Sequence, residues 1–201
     1  MKDKITAAEL MDRLMSDPEF VRREQEREAQ RIRTAEILAK AEAGLVRELR
    51  GAGLNVDSVW DLVGWNGDND AALRVLLAHA PLPYPERVRE GIVRALTTPG
   101  VRKWWPDILE MYESDTLALS PEMDYLIGGV LSAAADDTVI DDVIRLASDR
   151  NGGSKRVLLL LALKKSRKPR AKMLLNELRS DPVLGKEVKR MRRLERLQGK
   201  V

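Results

Sequence analysis

Apolar residues recur along this chain at three- and four-residue spacing, and strand-like alternation is absent throughout, so the pattern predicts helices joined by short breaks. Residues 19 to about 50 read as one long helix with a bend near Gly44. Its first half, FVRREQEREAQR, is laced with opposite charges at helical spacing and is expected to be exposed; each such pair adds about 0.2–0.5 kcal/mol. Its second half carries the stripe Ile32, Ala35, Leu38, Leu45, Leu49, which suits packing on the body or on a partner helix. Helix starts are signposted. Thr6 and Glu9 are spaced for a capping box, as are Thr138 and Asp141. Asp17-Pro18-Glu19, Ser120-Pro121-Glu122 and Asp181-Pro182 each place a capping side chain before a proline.

From about residue 54 a second-helix stripe with spacing 3, 1, 3 occurs four times, as Leu73, Leu76, Leu77, Ala80; Trp105, Ile108, Leu109, Tyr112; Ile140, Val143, Ile144, Ala147; and Ala171, Leu174, Leu175, Leu178. The offsets between copies are 32, 35 and 31 residues. The same offsets align a preceding first helix: Val56, Trp60, Val63, Gly64; Val88, Ile92, Ala95, Leu96; Met123, Ile127, Val130, Leu131; Ser154, Leu158, Leu161, Ala162. A helical pair of this size cannot bury its own apolar face, so neighbours must stack. The reading is an array over residues 54–181, in hairpins 54–82, 84–115, 120–150 and 153–181. A partly exposed helical extension, 1–50, precedes it. A basic capping helix and tail, 182–201, follows, with Leu184, Val188, Met191 and Leu194 among its cations. The apolar run 157–163 reads as helix buried on all sides, and it is far short of the roughly 20 residues that span a bilayer. The array reading requires Leu76, Ile108, Val143 and Leu174 to occupy equivalent environments.

The segment PERVREGIVRAL, residues 85–96, with Val88-Arg89 and the ending Ala95-Leu96, resembles the first helix of a HEAT repeat, and residues 154–181 resemble a complete HEAT hairpin. The short period is similar to the compact HEAT-like repeats of the phycobilisome-lyase type; the Trp, Gly, Tyr and Pro signature of tetratricopeptide repeats is missing. The resemblance covers residues 54–181. It implies an all-α fold, an α-α superhelix or HEAT-like solenoid of about four helical hairpins, whose second helices line the concave face. Outward positions on those helices then become the partner surface: Trp104, Asp107 and Glu110; Asp141, Asp142 and Arg145; Lys172, Asn176 and Arg179. They grade from acidic to basic, a pattern that acts on specificity and encounter rate more than on affinity.

Composition narrows the chemistry. There is no cysteine among 201 residues, which removes disulfides, thiolate catalysis and cysteine zinc sites. Residues 154–201 hold 16 Lys and Arg against 4 Asp and Glu, so a net charge of +3 conceals a basic end of +12 and a remainder of −9. The start, MKDKITAAELMDRL, lacks a signal core, and a cytoplasmic location is expected. His79, the single histidine, reads as a helix C-terminal contact or a solvated side chain. Asn66-Gly67-Asp68-Asn69-Asp70 lacks the ligand order of a calcium loop and reads as a turn with an N-cap. Trp105 points into the core in the repeat register, and Trp104 falls beside the stripe. Arg150, Lys155 and Arg156 around Gly152-Gly153 suit an anion at a helix start, although a plain turn is the favoured reading.

The expected function is therefore a non-catalytic scaffold or adaptor that binds a protein, without cofactor or metal and without membrane insertion. The alternative is nucleic-acid binding through the basic runs 164–172 and 186–196. A third reading, a HEAT-like DNA glycosylase using Trp104 and Asp107, meets acidic surroundings that do not suit DNA.

Overall fold

The described residues, 6–114 and 120–198 of the computed structural model, form ten α-helices and no strand. These are α1 (Ala7–Met15), α2 (Pro18–Gly51), α3 (Asp70–His79), α4 (Glu86–Leu96), α5 (Trp105–Glu113), α6 (Pro121–Ala134), α7 (Ile140–Ser148), α8 (Arg156–Lys165), α9 (Pro169–Glu177) and α10 (Gly185–Gln198). Short 3-10 turns lie at Val59–Leu62, Pro99–Trp104, Arg150–Lys155 and Leu178–Ser180. Among the described residues no helix is long and apolar enough to cross a membrane.

Most starts follow the capping chemistry. Thr6 and Glu9 exchange hydrogen bonds in a complete box, and Ser120 accepts the N–H of Met123. Asp17 accepts the N–H of Glu19. Asp181 accepts the N–H groups of Val183 and Leu184, both at 2.9 Å, although α10 itself begins only at Gly185. The box expected at Thr138 and Asp141 does not form. The N–H and hydroxyl of Thr138 both donate to Asp136, which leaves Val139 ahead of α7 without a side-chain cap.

Two compact units divide the chain, Met1–Ala41 and Glu42–Val201. In the first, α1 and the leading part of α2 expose Leu10, Met11, Met15, Ile32 and Ile37. Helix α2 continues unbroken through Gly44, and the division falls before residue 50 because Glu42, Leu45, Val46 and Leu49 are buried in the second unit. The Glu42 carboxylate accepts the hydroxyl of Ser58 and, at 2.9 Å, the N–H of Val59.

In the second unit the four second-helix stripes reproduce one another in burial. The first, second and fourth positions of every copy are buried, and the third, at Leu77, Leu109, Ile144 and Leu175, is half-buried each time. Leu76, Ile108 and Val143 are fully enclosed and Leu174 nearly so. The first-helix stripe holds in α4 and α6 and fails at both ends. Residues 54–69 make only the four-residue 3-10 turn, sealed by a box between Ser58 and Asp61. Gly53, Gly64 and Gly67 bracket it at φ of +93°, +85° and +68°, which no helix accommodates. Val63 and Gly64 are consequently exposed. Helix α8 is out of phase. It buries Leu159, Leu160, Ala162 and Leu163 and leaves Leu161 half exposed, so the run 157–163 is not covered on all sides. The 3-10 turn ahead of it, kinked at Gly153, takes up residues that the repeat alignment assigned to the helix.

The first helices lie side by side in chain order, with Val59–Leu62 against α4, α4 against α6, and α6 against α8. The second helices α3, α5 and α7 each pack on the first helix of the following pair, and α9 packs on α8 and α7. Helix α10 seats on Leu178–Ser180, burying Leu184, Val188 and Met191. A close approach involves α6: a Cβ at Gly128 would lie 2.1 Å from the Lys155 carbonyl oxygen, and one at Gly129 would lie 3.0 Å from Leu158. Gly128→Ala is expected to cost about 1–3 kcal/mol, as overpacking does, and to lower the urea midpoint. Gly44→Ala, whose Cβ meets nothing within 4 Å, is expected to raise it by the helix propensity of alanine, up to about 1 kcal/mol. Equal midpoints for the two variants would contradict the close contact of α6 with the turn that enters α8.

Candidate functional site

The turn Pro99–Trp104 is pinned to the preceding loop and delivers Trp104 to the head of α5. The Thr98 hydroxyl donates to the Asn66 carbonyl at 2.8 Å, and the Lys103 ammonium reaches the Asp70 carboxylate at 2.7 Å. A Cβ at Gly100 would lie 2.0 Å from the Gly67 carbonyl oxygen, so the crossing of the two loops needs glycine. Trp104, half-buried, then sits beside Arg74 of α3, whose guanidinium carbon is 5.9 Å from the ring centroid, within cation–π range.

A cleft of about 510 Å³ opens between α3 and α5, lined by Arg74, Leu77, Trp104, Asp107, Glu110 and Met111 among others. Its surface is apolar at Leu77 and Met111 and carries acids at Asp107 and Glu110, both exposed. Neither acid has an ion-pair partner among the described residues. An apolar or aromatic side chain can enter such a cleft while a neighbouring cation meets the acids. The sequence pointed to Trp104, Asp107 and Glu110; it missed Arg74, Leu77 and Met111. Leu77 had a signal, since it is the third, less covered position of its stripe.

The remaining expected surface residues are placed differently. Asp142 accepts the indole N–H of Trp105 at 2.8 Å, Arg145 pairs with Glu113 at 2.7 Å, and Arg170 pairs with Asp141 at 2.8 Å. Asp141, Asp142 and Arg145 thus bridge successive second helices, while Asp141 and Arg145 remain exposed. Lys172 and Asn176 line a second cleft, where Arg192 of α10 donates to the Asn176 side chain. Arg179 is exposed outside both clefts.

The cationic trio suggested for an anion does not assemble. Arg150 is exposed, but Arg156 is enclosed, its Nε donating to the Ala147 carbonyl at 2.9 Å and its guanidinium to Asp181 at 2.7 Å. Lys155 is nearly covered and lies 3.6 Å from Asp124. Arg156 is an internal counter-ion, because the kinked turn at Gly153 directs α8 into the body. Burial pushes the Asp181 carboxyl up, yet the hydrogen bond from Arg156, the N–H groups of Leu184 and Val183, and the Arg156 charge together hold it below the usual carboxylate range. Burial also pushes the nearby Tyr112 phenol up, and its hydroxyl has no hydrogen-bond partner among the described residues.

His79 ends α3 and is buried, which overturns the solvated reading. Its Nδ1 lies 2.7 Å from the Tyr84 hydroxyl and its Nε2 lies 3.1 Å from the Glu48 carboxylate. Among the described residues no group of three or more His, Cys, Asp or Glu is placed to hold a metal ion. No protein-family model, curated protein or solved structure matches this chain.

Breaking the Arg156–Asp181 pair from one side is expected to cost about 3–5 kcal/mol, because the survivor stays buried and uncompensated. Asp181→Asn should therefore lower the urea midpoint at neutral pH. In the parent chain the contribution of Asp181 is present above the ordinary carboxylate pKa and is lost as pH falls through the depressed folded value. The variant should lack that part of the acid limb; identical acid limbs would contradict the assignment.

Proposed function

We propose that this chain is a non-catalytic, cytoplasmic scaffold or adaptor, built as a HEAT-like solenoid of short hairpins, that holds a protein partner on its second-helix face. The cleft between α3 and α5 carries this reading: an apolar bed, a half-buried tryptophan and two exposed acids without counter-ions among the described residues. Tryptophan is among the residues enriched at the hot spots that anchor partner chains.

Two features support the solenoid. The same graded burial recurs in all four second helices. Polar contacts also recur near the repeat distance: Thr98 to Asn66, Arg102 to Ala134 and Arg145 to Glu113 each span 32 residues. The acids at the cleft repel a phosphate backbone and leave Arg74 as its one lining cation among the described residues, which argues for a protein ligand over the glycosylase reading of Trp104 and Asp107. The matching segment is one that sets an aromatic or long aliphatic side chain beside Lys or Arg.

Selection from a random peptide library should enrich that pattern. Trp104→Ala is expected to weaken the selected peptides about thirtyfold, the size of a tryptophan hot spot of roughly 2 kcal/mol. Asp107→Lys with Glu110→Lys should weaken those that carry cations, with the thermal melt unchanged. Peptides that bind all three proteins equally would remove the cleft as the partner site. Asp141 and Asp142 are poor probes, because reversing them also breaks the contacts to Arg170 and Trp105.

A further inference from the structure

We infer that the cleft between α9 and α10 is a second, independent site that takes the phosphate backbone of a nucleic acid. It has a volume of about 340 Å³ and is lined by Lys164, Lys172, Asn176 and Arg192 over an apolar base of Leu175, Val188 and Met191. Among the described residues no Asp or Glu lines it. Its cations come from different elements: Lys164 from α8, Lys172 from α9 and Arg192 from α10. Charge supplied from several sides of a concave channel follows a linear polyanion.

Two of these charges meet no acid among the described residues. Lys172 has no acidic partner among the described residues. Arg192 is engaged by the neutral amide of Asn176, which orients the guanidinium fork without neutralising it. The acidic remainder of the chain does little to offset them, because charges beyond a Debye length of about 8 Å are largely screened at physiological salt. A lipid surface is the weaker fit. Val188 and Met191 of α10, and Leu184 just before it, are buried, which leaves Leu194 as the one exposed apolar side chain of this helix among the described residues.

The test is fluorescence anisotropy of a labelled single-stranded oligonucleotide and its duplex, titrated with the full chain between about 50 and 200 mM salt. Two to three neutralised phosphates give a slope of log affinity on log salt between about −1.4 and −2.7. Lys172→Gln with Arg192→Gln should weaken binding at least tenfold and flatten that slope by about 0.7–0.9 per charge removed. Arg47→Gln, an exposed cation on α2, should leave both unchanged. Absence of binding at the lowest salt, or an equal loss in Arg47→Gln, would overturn the inference. So would sedimentation with phosphatidylserine-containing vesicles in the absence of nucleic-acid binding. Peptide capture at the α3–α5 cleft should be untouched by these substitutions, so the two sites succeed or fail separately.

Discussion

The structure rests on the enclosure of α6. Met123, Ile127, Val130, Leu131 and Ala134 are all 1% exposed or less, and the elements that enclose them are α4, α5, α8 and two 3-10 turns. Each large apolar side chain so enclosed contributes about 1.5–3 kcal/mol, and none would be covered by α6 alone. Gly128 and Gly129 let α8 come close enough to complete that shell. Because the inner face of α5 is committed to α6, its other residues, Asp107 and Glu110, are turned outward, and Trp104 is held where the turn enters the helix. The candidate binding cleft is thus a by-product of how the core is closed.

Charge does two kinds of work in this molecule. Arg156 and Asp181 are withdrawn from water and hold the entry of α8 against the loop before α10. The exposed pairs between second helices, Arg145 with Glu113 and Arg170 with Asp141, are each worth about 0–1 kcal/mol. Their effect is on which side chains face one another more than on total stability.

Much of this was legible in the chain. The second-helix stripes were, because helical spacing and apolar character are local properties, and so were the caps at Thr6, Asp17 and Ser120. The first hairpin was misread: Val56, Trp60 and Val63 keep helical spacing, but three glycines at positive φ leave room for one short turn. The phase of α8 was misread because a backbone kink at Gly153 shifts every later position without altering the apolar count. The groove charges were the hardest. Nothing near Asp142 or Asp141 in the sequence announces Trp105 or Arg170, which lie 37 and 29 residues away. A charged residue on an outward helical position looks free until its distant neighbour is known.

The shared burial pattern of the four seams has a price for the folding chain. Hairpins with matching apolar templates fit sterically against the wrong neighbour, within one molecule or between two. The polar pairs discriminate where the apolar seam does not. Were α5 to settle on α9 in place of α7, the 31-residue offset would bring the Trp105 indole N–H opposite Met173, which offers no carboxylate. Glu113 would meet Asn176 in place of the cation Arg145. Connections that are individually weak in the native state thereby act as an address code, penalising swapped assemblies that the apolar seam alone would accept.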